Sequence, residues 1–130
     1  MNIFEYVKDL SFEVVFIYGI LLSLCPDLFL GSFIYREDVW KNFVPKEQTS
    51  KQVLDHILTG LGYTWVAWSI MYYLDTTDEM LFAQYNVVIW TMFSILDMVT
   101  RIRGLYSPIA SMVNLAIVNC ILAGWIVCIV

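Results

Sequence analysis

The chain has 130 residues, 60% of them hydrophobic and 15% charged, with 12 acidic residues against 7 basic ones. A soluble domain is about half apolar and about a quarter charged, so this composition excludes an ordinary water-soluble globule and points to the bilayer as solvent. A formal charge of −5 excludes nucleic acid as a partner, because phosphate binding needs basic patches.

From Asn2 to Leu10, the residues Ile3, Phe4, Val7 and Leu10 recur at helical spacing, with Glu5, Lys8 and Asp9 between them. This predicts a short N-terminal amphipathic segment on the membrane surface or against a partner, or else an extension of the first span. The same residues lack the basic start of a secretory signal peptide. The first span is placed at residues 12–35. Phe12 to Cys25 is apolar apart from Glu13, Gly19 and Ser23, and Pro26 then removes a backbone donor. A span kinked at Pro26 is preferred to a short span followed by an interfacial segment, since about 20 residues are needed to cross. Arg36 to Gln52 is a polar connection in which Trp40 and Phe43 suit the headgroup level.

The second span is placed at 53–74. His56, Gly60, Tyr63 and Ala67 share one helical face, and Gly60 with Thr64 forms a small-xxx-small pair that lets another helix approach. The acidic turn Asp75-Thr-Thr-Asp78-Glu79 is short enough to make spans two and three antiparallel neighbours. In the third span, 80–100, Asp97 stands one helical turn before Arg101, so the two can pair. Gly104 ends this helix, and Ser107-Pro108 starts the next as N-cap and first helical residue. The fourth span, 108–130, carries Asn114, Asn119 and Gly124, side chains suited to helix contact and interhelical hydrogen bonds. Cys25, Cys120 and Cys128 lie in apolar runs without metal-ligand spacing and are expected as buried thiols. The expected fold is therefore all-α: one membrane four-helix bundle with a short N-terminal amphipathic segment. Arg36, Lys41, Lys46, Lys51, Arg101 and Arg103 would share one side of it, leaving both termini on the non-cytoplasmic side.

With alternating spans, six polar residues reach one level near the basic side: Asp27, Asp55, His56, Asp97, Arg101 and Asn114. Ionisable groups at membrane depth call for a functional hypothesis, and these six could line a ligand or proton-handling pocket. The simpler alternative, preferred on sequence alone, keeps Asp55 and His56 in the headgroup region and makes Asp97–Arg101 a stop-transfer ion pair. A single histidine cannot supply two axial haem ligands. No P-loop, nucleophile elbow, metalloprotease histidine pair or zinc cysteine pair occurs. No catalytic, metal or cofactor-binding residue is assigned, and bound lipids are the expected ligands.

At Val88-Ile-Trp-Thr-Met-Phe93 the third span resembles the small four-span ergosterol-biosynthesis scaffold family. The order of elements is similar along most of the chain. Where that family carries Arg-Thr-Phe-Gly entering its second span, this chain reads Leu58-Thr59-Gly60-Leu61-Gly62. The resemblance implies a non-catalytic endoplasmic-reticulum protein that tethers sterol C-4 demethylation enzymes, and transfers no residue role. From short loops and absence of a soluble domain, the leading expectation is an accessory subunit or scaffold of a larger membrane complex. The mitochondrial inner membrane and a respiratory assembly are favoured over the endoplasmic reticulum, with other membrane subunits and lipids as partners. The alternative is a small lipid- or sterol-binding or isomerase-like protein whose pocket is lined by Asp55, His56, Asp97 and Asn114.

Overall fold

The computed structural model describes residues 2–74 and 78–130 and is helical throughout, with no strand among the described residues. In chain order its helices are α1 (Ile3–Leu24), α2 (Pro26–Ile34), α3 (Glu37–Phe43), α4 (Gln48–Met71), α5 (Glu79–Ile102) and α6 (Pro108–Ile129). The Asp75–Thr77 part of the expected acidic turn lies outside the described residues.

Local chemistry sets the helix ends. Asn2 caps α1 by accepting from the Glu5 amide at 3.0 Å, so the expected amphipathic segment is no separate element but the first turns of one long helix. At the other end Pro26 cannot donate to the preceding turn and drives Cys25 out of the helical region, to φ −143° and ψ 64°. The chain turns by 115° there. Residues 12–35 are thus two helices broken at a sharp turn rather than one kinked helix. The last turn of α2 is wide, closing with Tyr35 N to Leu30 O at 2.8 Å. Asp78 caps α5 through the Leu81 amide at 3.0 Å. Gly104, at φ +69°, reverses the chain after α5. Ser107 accepts from Ala110 N at 3.1 Å, with Pro108 in the first turn, as the start signal predicts.

The four long helices run alternately up and down. Asp9 of α1 accepts from Tyr73 just beyond α4, while Thr59 of α4 lies beside Ser23 at the far end of α1. Likewise Val7 meets Gly124 and Tyr18 meets Asn114, which sets α6 antiparallel to α1. Ser94 meets Asn119, and Arg101 meets Ser111, which sets α5 antiparallel to α6. The helix ends bearing Lys51 and Arg101, together with Arg36, therefore share one end of the bundle. Helices α5 and α6 are each long and apolar enough to cross a membrane, and α1 with α2 would make a third if the broken pair counts as one span. Helix α4 is not: Asp55, His56, Thr59, Gly60 and Gly62 dilute its apolar content.

Two of the four seams around the bundle, α1–α4 and α1–α6, are tight where small side chains face them. Ser11, Val15, Gly19 and Ser23 recur every fourth residue along α1, and all are buried. Against this stripe sits Gly62, where a Cβ would stand 2.6 Å from Ser23 N and 2.8 Å from Gly19 O. Gly124 is equally close to α1, with a Cβ falling 2.5 Å from Val7 Cγ2. The expected packing pair behaves otherwise: Gly60 has nothing within 4 Å, and Thr64 bonds only its own Gly60 carbonyl. The face that packs is the one carrying Gly62 and Ser69, rotated away from Gly60–Thr64. At the fourth seam large rings separate α4 from α5. Trp68 stacks on Phe93 at 5.5 Å, and Trp65 meets Phe93 edge-on at 6.3 Å. Cys120 is exposed rather than buried, on the outer face of α6.

Candidate functional site

The separation of α4 from α5 leaves a cavity of about 340 Å³ inside the bundle. This lies at the small end of the roughly 300–1,000 Å³ range of small-molecule pockets, enough for one compact or single-chain molecule. Aromatic rings from both helices, Trp65, Trp68, Trp90 and Phe93, form one end. Beyond them, buried hydrogen bonds close the bundle. Tyr72 donates to Asn86 Oδ1 at 2.7 Å and accepts from Trp90 at 3.2 Å, while Trp125 donates to Ser11 Oγ at 3.0 Å. Leu61 and Leu96 line the cavity and are also 43% and 58% exposed, so its wall reaches the outer surface between α4 and α5.

The opposite end is closed by α2. Because the chain turns at Pro26, Phe29, Leu30 and Ile34 lie across the bottom of the cavity rather than continuing away from it. Backbone bonds fix this floor to the α5–α6 link: Ser107 N to Ile34 O at 2.9 Å and Arg36 N to Leu105 O at 3.0 Å. Arg36 also donates to the Gly104 carbonyl at 3.1 Å, and Ser107 Oγ donates to the Phe33 carbonyl. Gly31 lies so close to the Trp40 ring of α3 that a Cβ there would sit 2.4 Å from it. The floor is thus tied on both sides.

Polar side chains converge at this floor end. Asp97 is 3% exposed and lines the cavity. Its Oδ2 pairs with Arg101 Nη1 at 2.9 Å. The rest of the guanidinium is committed to α6, donating to Ser111 Oγ at 2.8 Å and to the Ser111 carbonyl at 2.6 Å. Asp97 Oδ1, by contrast, is buried with no hydrogen-bond partner among the described residues. Beside it Asn114 accepts from Tyr18 at 2.5 Å. Tyr106 completes the group, its ring 5.7 Å from the Arg101 guanidinium. Burial, with the neighbouring Asp97 carboxylate, pushes the Tyr106 phenol up to about 12, so its hydroxyl stays protonated at neutral pH.

Of the six polar residues grouped from the sequence, three meet here: Asp97, Arg101 and Asn114. The other three do not. His56 is exposed on α4. Asp55 is half-buried, with one carboxylate oxygen lacking a partner, but is not among the cavity-lining residues. Asp27 sits in the outer groove between α2 and α3 and pairs with Lys51 at 3.5 Å. For Asp27 the reason is the turn at Pro26, and for Asp55 and His56 it is rotation. Depth along the bundle placed all six at one level, whereas facing inward depends on each helix's phase, and α4 turns Gly62 rather than His56 and Gly60 to the interior. Of the residues proposed for packing, Asn119 accepts from Ser94 at 3.1 Å across the α5–α6 seam, and Gly124 serves the α1–α6 approach. Tyr18 and Tyr106 were not singled out from the sequence. A tyrosine beside the small-residue stripe of α1 is the signal for Tyr18, because a phenol buried in an apolar helix needs a polar partner. Among the described residues no group of three His, Cys, Asp or Glu side chains could hold a metal ion. Comparisons with protein-family models, curated proteins and solved structures find no match to this chain.

Proposed function

We propose that this protein is a membrane four-helix bundle that holds one small amphipathic lipid in the cavity between α4 and α5, as a binding or carrier protein. The observation that carries this is the shape of the cavity's polarity. An aromatic and aliphatic chamber ends in a buried carboxylate, Asp97, whose second oxygen is unused. An intramembrane acid is costly unless it pairs or serves a ligand, and Arg101 answers only half of it. The outer wall at Leu61 and Leu96 would give access from the surrounding acyl chains. The supporting experiment is native mass spectrometry of the full chain extracted in mild detergent. One retained adduct of single-lipid mass is expected, lost on Leu96→Trp, which fills the outer mouth. No adduct on the native protein, or one indifferent to Leu96→Trp, would refute the pocket.

A second reading, an accessory subunit or scaffold, is favoured by α4. Its Gly60–Thr64 face is exposed with open space beside it, and α4 is too polar to cross lipid uncovered. A partner helix would answer both. On this reading the mitochondrial inner membrane, with a respiratory complex, comes before the endoplasmic reticulum, and the chain termini lie opposite the basic links. Purification with stoichiometric partner subunits would favour it, and recovery as a lipid-loaded monomer would count against it.

A further inference from the structure

We infer that the cavity selects a neutral lipid bearing a free hydroxyl, read by Asp97 Oδ1, over lipids whose polar end only accepts hydrogen bonds or carries a negative charge. This rests on the pocket reading above and adds the chemistry of the head.

Three observations lead to it. First, Asp97 is nine-tenths buried, lines the cavity, and keeps one carboxylate oxygen without a hydrogen bond of normal length among the described residues, with the protonated Tyr106 phenol beside the carboxylate. A carboxylate oxygen only accepts, so the group that satisfies it must donate. Second, an anionic head finds no uncompensated cation in the cavity. Every Arg101 guanidinium nitrogen already makes a bond, Nη1 to Asp97 and Nε and Nη2 to Ser111, and Asp97 balances its charge. A carboxylate or phosphate would instead face Asp97 itself at short range. Third, the remaining partners suit a hydroxyl. Asn114 uses its amide oxygen for Tyr18, which leaves its two amide N–H groups to donate, one of them toward the Tyr106 hydroxyl. One hydroxyl can give its proton to Asp97 and accept from Asn114. A fully cationic head is less well matched, because Asp97 and Arg101 already neutralise each other.

The apolar body is limited by the chamber. About 340 Å³ excludes a two-chain phospholipid body and admits a single chain or a compact ring system. Trp65, Trp68 and Phe93 offer flat faces against either shape. The shared chemistry is one hydroxyl at the end of an apolar body.

The test uses the full chain in lipid nanodiscs and a photoreactive diazirine long-chain alcohol as probe, with labelled residues mapped by mass spectrometry. Competitors are the unlabelled long-chain alcohol, its methyl ether, the fatty acid of equal length, and a fused-ring alcohol with its methyl ether. Labelling is expected on Leu58, Leu61, Phe93 or Leu96. In at least one of the two alcohol series the free alcohol should compete about tenfold to a hundredfold better than its ether, the size of one hydrogen bond to a charged acceptor. The fatty acid should compete worse than the alcohol. Asp97→Leu should abolish the alcohol–ether difference while leaving apolar occupancy. Ethers competing as well as alcohols in both series, or the acid competing best, would overturn the head-group assignment while leaving the pocket standing. No labelling of the cavity by any probe would overturn both. The competitor series is run on the native protein, so it decides the matter even if Asp97→Leu does not fold.

Discussion

Two glycines two residues apart on α4 make a sharp test of the fold. At Gly62 an added methyl would stand 2.6 Å from Ser23 N and 2.8 Å from Gly19 O. Both are backbone atoms, so relief requires α1 and α4 to move apart along their whole seam. Overpacking costs about 1–3 kcal/mol, and contact with main chain rather than flexible side chain puts Gly62→Ala toward the upper part of that range. Alanine regains up to about 1 kcal/mol of helix propensity, leaving a net destabilisation of about 1–2 kcal/mol. At Gly60 nothing lies within 4 Å, so Gly60→Ala keeps the propensity gain without the clash. The two variants should therefore differ by about 2–3 kcal/mol in opposite directions from the native protein. Thermal unfolding in detergent, followed by far-ultraviolet circular dichroism, reads the difference as an ordering of midpoints: Gly60→Ala at or above native, Gly62→Ala clearly below. If Gly62→Ala melted as high as Gly60→Ala, the close α1–α4 approach and the helix phase derived from it would be wrong.

The ion pair at the cavity floor and the bundle's direction give two further tests. Asp97→Leu strands Arg101 beside an apolar wall. Breaking a buried pair costs about 3–5 kcal/mol, but Arg101 is 27% exposed and retains Ser111, so about 2–3 kcal/mol is expected. Asp97→Leu with Arg101→Leu should cost less than the two single changes summed, and strict additivity in the thermal cycle would show that the residues do not interact. For topology, single cysteines replacing Lys46 and Asp78 in a cysteine-free background should react with an impermeant maleimide from opposite faces of oriented vesicles. Reaction of both from the same face would rule out the proposed passage of α4 through the bilayer.

Much of the backbone was legible because helix ends are written locally. Ser107-Pro108, Gly104 and Pro26 each act through donors, φ and sterics confined to a turn, and each marks a boundary in the structure. What Pro26 did to the path was less legible. Proline tells that the helix cannot continue as before, but the 115° turn is held by long-range bonds from residues 34–36 to 104–107, which no local pattern announces. Helix phase was the other gap. Gly60–Thr64 matched a small-residue spacing, yet the longer Ser11–Val15–Gly19–Ser23 repeat on α1 was the more informative pattern, and Gly62 is its partner. At the site, Asp97 and Arg101 were readable from their one-turn spacing. Tyr106 was not, because it reaches the group only after the link between α5 and α6 reverses.

The arrangement of seams joins fold to function. At Gly62 the backbones of α1 and α4 close, and at Gly124 the Val7 side chain of α1 fills the space, so neither seam leaves room. Between α4 and α5 the sequence instead puts tryptophans and phenylalanine, whose rings brace against each other and hold the helices apart. Rings that bridge at one level need not fill the level below, and below them lie smaller groups: Leu58, Leu61, Leu96 and Thr100. A cavity is therefore the expected consequence of this residue order, and its floor is where Asp97 is buried. A buried ion pair is weak evidence for stability, since well-packed apolar residues often serve as well or better. Its position carries more weight than its presence. An acid used only to anchor a helix end would gain by turning both oxygens to Arg101 or to water, whereas Asp97 offers one oxygen to Arg101 and leaves the other at the only polar end of an apolar chamber among the described cavities.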